Sequence, residues 1–225
     1  MKKLLNFKFS IFVMLIISIS IFSVPLNNFV LRNFNDAFTV SKITGKKVII
    51  MFSSEECYYC KKFEEEILTN KDVQKWLRTE FVFAEITAKN DGTADFRNKK
   101  YTYPQLFGAF GVRGTPTFVF FEDEDNFLGS IPGYVEANTF ENLLKYLLFK
   151  DNTKVQFQDF IKKDYGINIR KRSLNLNKKD IETLLKIDPN TKIYNKSYDD
   201  YTNVVVDNEN NNYKNFIIIK EKSKK

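Results

Sequence analysis

Residues 46–68 read KKVIIMFSSEECYYCKKFEEEIL. Val48, Ile49, Ile50, Met51 and Phe52 form an unbroken apolar run, the pattern of a strand buried on both faces. Ser53, Ser54, Glu55 and Glu56 turn the chain. Cys60, Phe63, Ile67 and Leu68 then recur at i, i+3, i+7 and i+8, one face of a helix. The chain's two cysteines, Cys57 and Cys60, therefore stand where a buried strand hands over to an amphipathic helix. The first turn of a helix offers unpaired N–H groups and the positive end of its dipole, worth up to about 2 kcal/mol, which lowers a thiol pKa by roughly 1.5. Cys57, at the helix start, is expected to be exposed and nucleophilic. Cys60, one turn in on the apolar face, is expected to be buried and to resolve a mixed disulfide formed on Cys57.

Outward from that stretch, residues 29–44 predict a short helix on Phe34, Ala37, Phe38 and Ile43, ending at Gly45. Asn70 closes the cysteine-bearing helix, and Val73, Trp76 and Leu77 suggest a further turn. Residues 81–86 predict a second buried strand, 87–100 a polar loop and 105–110 a short helix. Thr115-Pro116 leads into a third strand at 117–121, and an acidic turn at 122–126 leads into a hairpin partner at 127–131. Asn138 with Glu141 matches a capping box, and Phe140, Leu143, Leu144, Leu147 and Leu148 give an amphipathic helix. The order of elements predicts an α/β fold with a mixed sheet flanked by helices on both faces.

Composition narrows the chemistry. The 225 residues are 43% hydrophobic and 16% aromatic, ample for a core, and contain no histidine. That excludes Ser-His-Asp and Cys-His nucleophiles, an HExxH zinc site and an imidazole proton shuttle. Two cysteines without further ligands make neither a zinc ribbon nor a disulfide scaffold, so no metal and no cofactor are expected. The net charge of +7 divides into +3 for residues 1–24, −1 for 25–150 and +5 for 151–225. The central block is neutral, and the basic C-terminal quarter lacks a basic stripe interleaved with aromatics, so no nucleic-acid partner is expected.

Lys2 and Lys3 precede an apolar run over residues 9–24. At about 16 residues it suits a signal peptide better than the roughly 20 needed to span a bilayer. Ser18, Ser20 and Ser23 offer cleavage sites, while an uncleaved anchor is the alternative, with Pro25 standing where peptidase would act. Both readings place residues 25–225 outside the cytoplasmic membrane, in the periplasm or an equivalent compartment. A disulfide closing so short a loop is a poor structural staple, so its value there is redox.

Residues 46–68, the Gly-Val-Arg-Gly-Thr-Pro-Thr stretch at 111–117 and the Pro132-Gly133-Tyr134 turn together resemble the thioredoxin superfamily, and most closely its exported bacterial branch. The resemblance covers about residues 30–150. It implies a cis Thr115–Pro116 peptide lying against the Cys-x-x-Cys pair, with Thr115 and Pro116 binding the substrate chain. Tyr58 and Tyr59, beside the pair, are candidate substrate-stacking residues, their ordinary reading being packing at a helix start. It implies a thiol-disulfide oxidoreductase that reduces disulfide-containing protein substrates and is recharged by a membrane or periplasmic electron donor. A disulfide isomerase or oxidase, or a non-catalytic binding module, is the alternative. Two tyrosines fill the pair where thioredoxins carry Gly-Pro, so the redox potential does not carry over. The family's buried acid six residues before the first cysteine is Met51 here. Glu85, on the next strand, is the candidate substitute proton acceptor; its ordinary reading is a solvated strand-end charge.

Residues 151–225 predict a small α+β extension. A helix is expected around Phe157, Phe160, Ile161 and Tyr165, and another from Asn177 to the stop at Asp188-Pro189. Val204-Val205-Val206 and Phe216-Ile217-Ile218-Ile219 flank an Asn-rich loop and read as a hairpin. The chain thus divides into a signal or anchor at 1–24, a thioredoxin-like domain at 25–150 and an extension at 151–225.

Overall fold

The computed structural model describes residues 29–88, 92–149, 154–207 and 212–222. The expected signal or anchor lies outside these residues. Among the described residues no helix is long and apolar enough to cross a membrane.

The chain opens with strand β1 (Val30–Leu31), helix α1 (Phe34–Thr44) and strand β2 (Lys47–Ser53). Helix α1 starts five residues later than periodicity suggests, because the Asn33 side chain caps it by accepting from Asp36 N–H, which frees Val30 and Leu31 to pair with the sheet. Helix α2 (Tyr58–Lys62) continues as a π-helical turn over Phe63–Ile67, closed by Leu68 N–H on the Phe63 carbonyl at 3.1 Å. Asn70 caps the next helix rather than ending the previous one, and the expected further turn is the ten-residue α3 (Lys71–Glu80). It runs directly into β3 (Phe81–Thr87).

The expected polar loop at 87–100 holds a hairpin, β4 (Thr93–Phe96) and β5 (Lys99–Thr102), followed by α4 (Tyr103–Ala109). Its turn places Arg97 and Asn98 at φ 48° and 62°, both left-handed, a conformation with no glycine to announce it. Strands β6 (Thr117–Phe121) and β7 (Phe127–Pro132) and helix α5 (Ala137–Leu148) complete the first part. The expected capping box is absent: α5 starts at Ala137 with Glu136 as its cap, so Asn138 lies inside the helix and Glu141 instead pairs with Lys145.

Five strands form one sheet in the order β1-β3-β2-β6-β7, with β6 and β7 antiparallel to their neighbours. Strand alternation divides the core between its two faces. Val48, Ile50, Phe52, Val82, Ala84 and Ile86 face α1, α4 and the β4–β5 hairpin. Ile49, Met51, Phe81 and Phe83 face the α2 segment, α3 and α5.

The extension comprises α6 (Phe157–Phe160), β8 (Arg172–Leu176), α7 (Lys178–Ile187), β9 (Thr191–Ile193), β10 (Asn203–Val205) and β11 (Ile217–Glu221). The helix expected through Tyr165 is the single turn α6, after which Tyr165 stacks on Phe160 at 5.1 Å. The expected hairpin is corrected more deeply. Strands β10 and β11 run parallel, within a second sheet ordered β8-β11-β10-β9. Parallel strands need a crossover that returns the chain to the starting end, which a tight hairpin turn cannot supply.

Ile181 and Leu184 of α7 and Ile217 and Ile219 of β11 join the core beneath α1. A buried polar seam reinforces that contact. Arg78 donates to Asp199 at 2.6 and 2.9 Å, to Asn190 at 2.9 Å and to Thr202 at 2.9 Å. The Lys46 ammonium, only 3% exposed, donates to the Arg78 carbonyl at 2.7 Å and Asn203 Oδ1 at 3.1 Å. Burial lowers its pKa to about 8 against the pull of Asp188.

Candidate functional site

Strand β2 carries the chain out of the sheet at Ser53, and Cys57 caps the helix that follows, with φ −78° and ψ 102°. Cys57 and Cys60 are joined as a disulfide with a Cα–Cα separation of 5.2 Å. Cys57 Sγ also accepts from Cys60 N–H at 3.0 Å, so the first sulfur points at the open N–H groups of the helix start. That inward turn corrects the expectation of an exposed Cys57: 8% of it is accessible, against 2% of Cys60. The order of accessibility holds, but the first sulfur is recessed.

The Thr115–Pro116 peptide is cis. Ser54 Oγ and Thr115 Oγ1 lie 3.2 Å apart, tying the turn before Cys57 to the proline loop. Thr117 Oγ1 donates to the Gly114 carbonyl at 2.7 Å and Gly133 N–H to the Pro116 carbonyl at 2.7 Å, holding the loop from both sides. The Ser54–Thr115 contact thus brings the turn that precedes Cys57 and the Thr115–Pro116 loop together from segments 61 residues apart in sequence.

Tyr58 and Tyr59 are 70% and 54% exposed, with ring centroids 5.3 Å apart. Tyr134, from the Pro132-Gly133-Tyr134 turn, extends the row at 6.0 Å from Tyr59. Its hydroxyl donates to Glu66 at 2.9 Å, and the Lys62 ammonium sits 4.6 Å from its ring centroid.

Glu85 is not a solvated strand-end charge. It is 4% exposed, and alternation on β3 puts it on the face of Phe81 and Phe83, opposite Met51 of β2 and beneath the cysteine-bearing helix. Its carboxylate bonds the Arg32 guanidinium and shares a hydrogen bond with Glu64. Glu64 stands four residues after Cys60 on the same helical segment, so the two lie on adjoining turns. Burial, then the hydrogen bond and charge of Glu85, raise the Glu64 pKa to about 7, opposed by Arg32. Sequence reasoning missed Glu64 and Arg32. Glu64's spacing from Cys60 was a signal for the first; nothing local marks the second.

Residues 34–148, half of the chain, match the model of the thioredoxin-like domain. The chain belongs to that family. A curated relative, the thiol:disulfide interchange protein DsbD of Actinobacillus pleuropneumoniae, is 32% identical over 105 residues, 46% of this chain and 16% of the relative. The chain therefore matches a small part of that protein's length. A thioredoxin-fold protein from Helicobacter pylori superposes with a TM-score of 0.51 at 17% identity, over 62% of this chain and 89% of that one, a likeness of fold. Within a thioredoxin-like domain, a Cys-x-x-Cys disulfide at a helix start is the equipment of a thiol-disulfide oxidoreductase.

Proposed function

We propose that this thioredoxin-like protein is an exported thiol-disulfide oxidoreductase that reduces disulfides of extracytoplasmic proteins through Cys57 and Cys60. The observation that carries the reading is the Cys57–Cys60 disulfide at a helix start, tied to the Thr115–Pro116 loop through Ser54. Similarity to a thiol:disulfide interchange protein supports the same chemistry. Residues 1–24 act as export signal or anchor, 25–150 form the catalytic domain, and 151–225 form an extension docked on it.

In the reduced protein the Cys57 thiolate attacks one sulfur of a substrate disulfide. A Cys57–substrate bond forms and the other substrate cysteine leaves as a thiolate. Cys60 gives up its proton and attacks Cys57 Sγ, which forms the intramolecular disulfide and releases the second substrate cysteine to be protonated. Two electrons pass to the substrate, and a dithiol of a membrane or periplasmic donor restores the pair. Thr115 and Pro116 present backbone to the substrate chain, and Tyr58 and Tyr59 flank it. Glu85, acting with Glu64, accepts the Cys60 proton.

The test is the reduction potential of Cys57–Cys60, equilibrated in defined thiol buffers. A value below about −250 mV is expected, near thioredoxin's. A value above about −180 mV would turn the assignment to an oxidase or isomerase. A pair that does not cycle would leave a binding module.

A further inference from the structure

The free edge of the main sheet is β7, the last strand in its order. Sheet edges are usually guarded by charges, because unpaired N–H and C=O groups invite another strand. Strand β7 reads Phe-Leu-Gly-Ser-Ile-Pro and carries no charged residue; its guards are Pro132 at one end and a bulge at Leu128 near the other, which leave the stretch between them open. Among the described residues no strand pairs with its outer side. One end of this edge lies at the redox site, where Thr117 pairs with Pro132 and Gly133 N–H bonds the Pro116 carbonyl. The other end, about 20 Å away for six extended residues, opens into an aromatic cavity.

That cavity holds about 380 Å³ and is lined by Phe96, Arg97, Ala109, Phe110, Phe121 and Phe127. Phe96, Phe110 and Phe121 form a closed triangle of rings, with centroids 5.2, 5.7 and 6.0 Å apart. Phe127 stands on the Phe121 ring at 5.8 Å and leaves 51% of itself in solvent, with Leu128 exposed beside it. Arg97 closes one side, its guanidinium 5.2 Å from the Phe96 centroid and bonded to the Asp125 carbonyl at 3.0 Å. The β4–β5 hairpin supplies Phe96 and Arg97, so that insertion builds a wall of the cavity. A pocket of rings open to water is a place for an apolar side chain, not a surface selected only for solubility.

We infer that β7 and this cavity form an extended-peptide site, in which a segment of the disulfide-bearing substrate pairs along the β7 edge and places a large apolar side chain among Phe96, Phe110, Phe121 and Phe127. The inference rests on the oxidoreductase reading, and continuity of the edge with the Thr115–Pro116 loop selects the occupant: a chain held at the redox site continues onto β7 as far as the bulge at Leu128, where the cavity takes over from main-chain pairing. Main-chain pairing tolerates many sequences, and the cavity adds a preference for an apolar residue about six positions from the reacting cysteine. Substrates exposing extended apolar segments, as unfolded polypeptides do, fit such a site.

The test uses the full chain in detergent and three disulfides: glutathione disulfide, and two long peptides that differ by Phe or Ser six residues to either side of the cysteine. Wild type is expected to reduce the Phe peptide with about tenfold higher kcat/KM than the Ser peptide, the effect of burying one large side chain. Phe127→Ser, which opens the cavity, and Ala109→Trp, which fills it, are expected to abolish that preference while leaving glutathione disulfide turnover unchanged. A preference that survives both variants, or is absent from a wild type that still turns over glutathione disulfide, overturns the inference. So does a dimer in sedimentation that Phe127→Ser dissociates, since the edge would then be an interface between copies. If no disulfide is turned over, the oxidoreductase reading fails by itself. Fluorescence anisotropy of a labelled, cysteine-free Phe peptide then decides the site, with about tenfold weaker binding to Phe127→Ser expected and equal binding overturning it.

Discussion

Glu64→Gln should stabilise the protein above pH 7 and leave it unchanged near pH 5. In the native state Glu64 shares a hydrogen bond with Glu85, and its pKa stands at about 7 against an ordinary 4.5. The folded protein therefore holds a proton through that interval that the unfolded chain has released. Stability falls as pH rises from about 4.5 to 7, and the full penalty is present above 7. That interval corresponds to about 3 kcal/mol for a group shielded from solvent, and to about 1–2 kcal/mol for a carboxylate reached by water as Glu64 is. Glutamine keeps a donor toward Glu85 and removes the charge, so the variant behaves as a permanently protonated Glu64. Urea unfolding of the oxidised protein at several pH values measures the effect, and subtracting the two curves cancels the other titrating groups. The same substitution should remove a step near pH 7 from the rate at which Cys60 releases substrate, followed by stopped flow. A difference between variant and wild type that stays flat from pH 5 to 8 would refute the shared proton.

Glu85→Gln should lower the Glu64 pKa toward 4.5, since the Glu85 hydrogen bond and charge are among its causes, and should flatten the pH profile of substrate release; an unchanged profile removes Glu85 from the proton path. Arg78→Leu should cost about 2–3 kcal/mol in urea unfolding, because it leaves the buried Asn190 and Thr202 without the guanidinium they surround, while the half-exposed Asp199 turns to water. It should also loosen the extension first, seen as faster amide exchange in β9 and β10 than in β2.

The fold was legible where one period dominates. The apolar runs at Val48 and Phe81 and the helix face of Cys60, Phe63 and Ile67 each admit one reading, and the structure buries them as read. The misreadings share a physical cause: partners distant in sequence decide them. Val30 and Leu31 are apolar residues before a helix until β3 lies beside them. Thr93, Ala94, Asp95 and Phe96 do alternate in burial, but a turn through Arg97 and Asn98 gives no glycine signal. Val204 and Ile218 pair as strands either way; whether they run parallel depends on where the intervening chain returns, which periodicity does not encode.

The site shows the same division more sharply. Cys57 and Cys60 announce themselves by their spacing at the strand-to-helix handover, because their chemistry depends on that local geometry. Glu85 was visible as a residue, but its character was not: the same glutamate would be a solvated strand end had the helix bearing Phe63 not covered its face. Period-two alternation through Phe81, Phe83 and Glu85 already placed the carboxylate on a buried face, so the burial was deducible once the strand was accepted. What alternation could not supply is its company. Arg32 and Glu64 reach Glu85 from a segment 53 residues earlier and from the helix above it, one a cation and one an acid with a raised pKa. A buried carboxylate with only the cation would be a structural ion pair. The second carboxylate, one turn from Cys60, turns that pair into a group able to take up and release a proton near neutral pH, and that makes it a candidate for the resolving step.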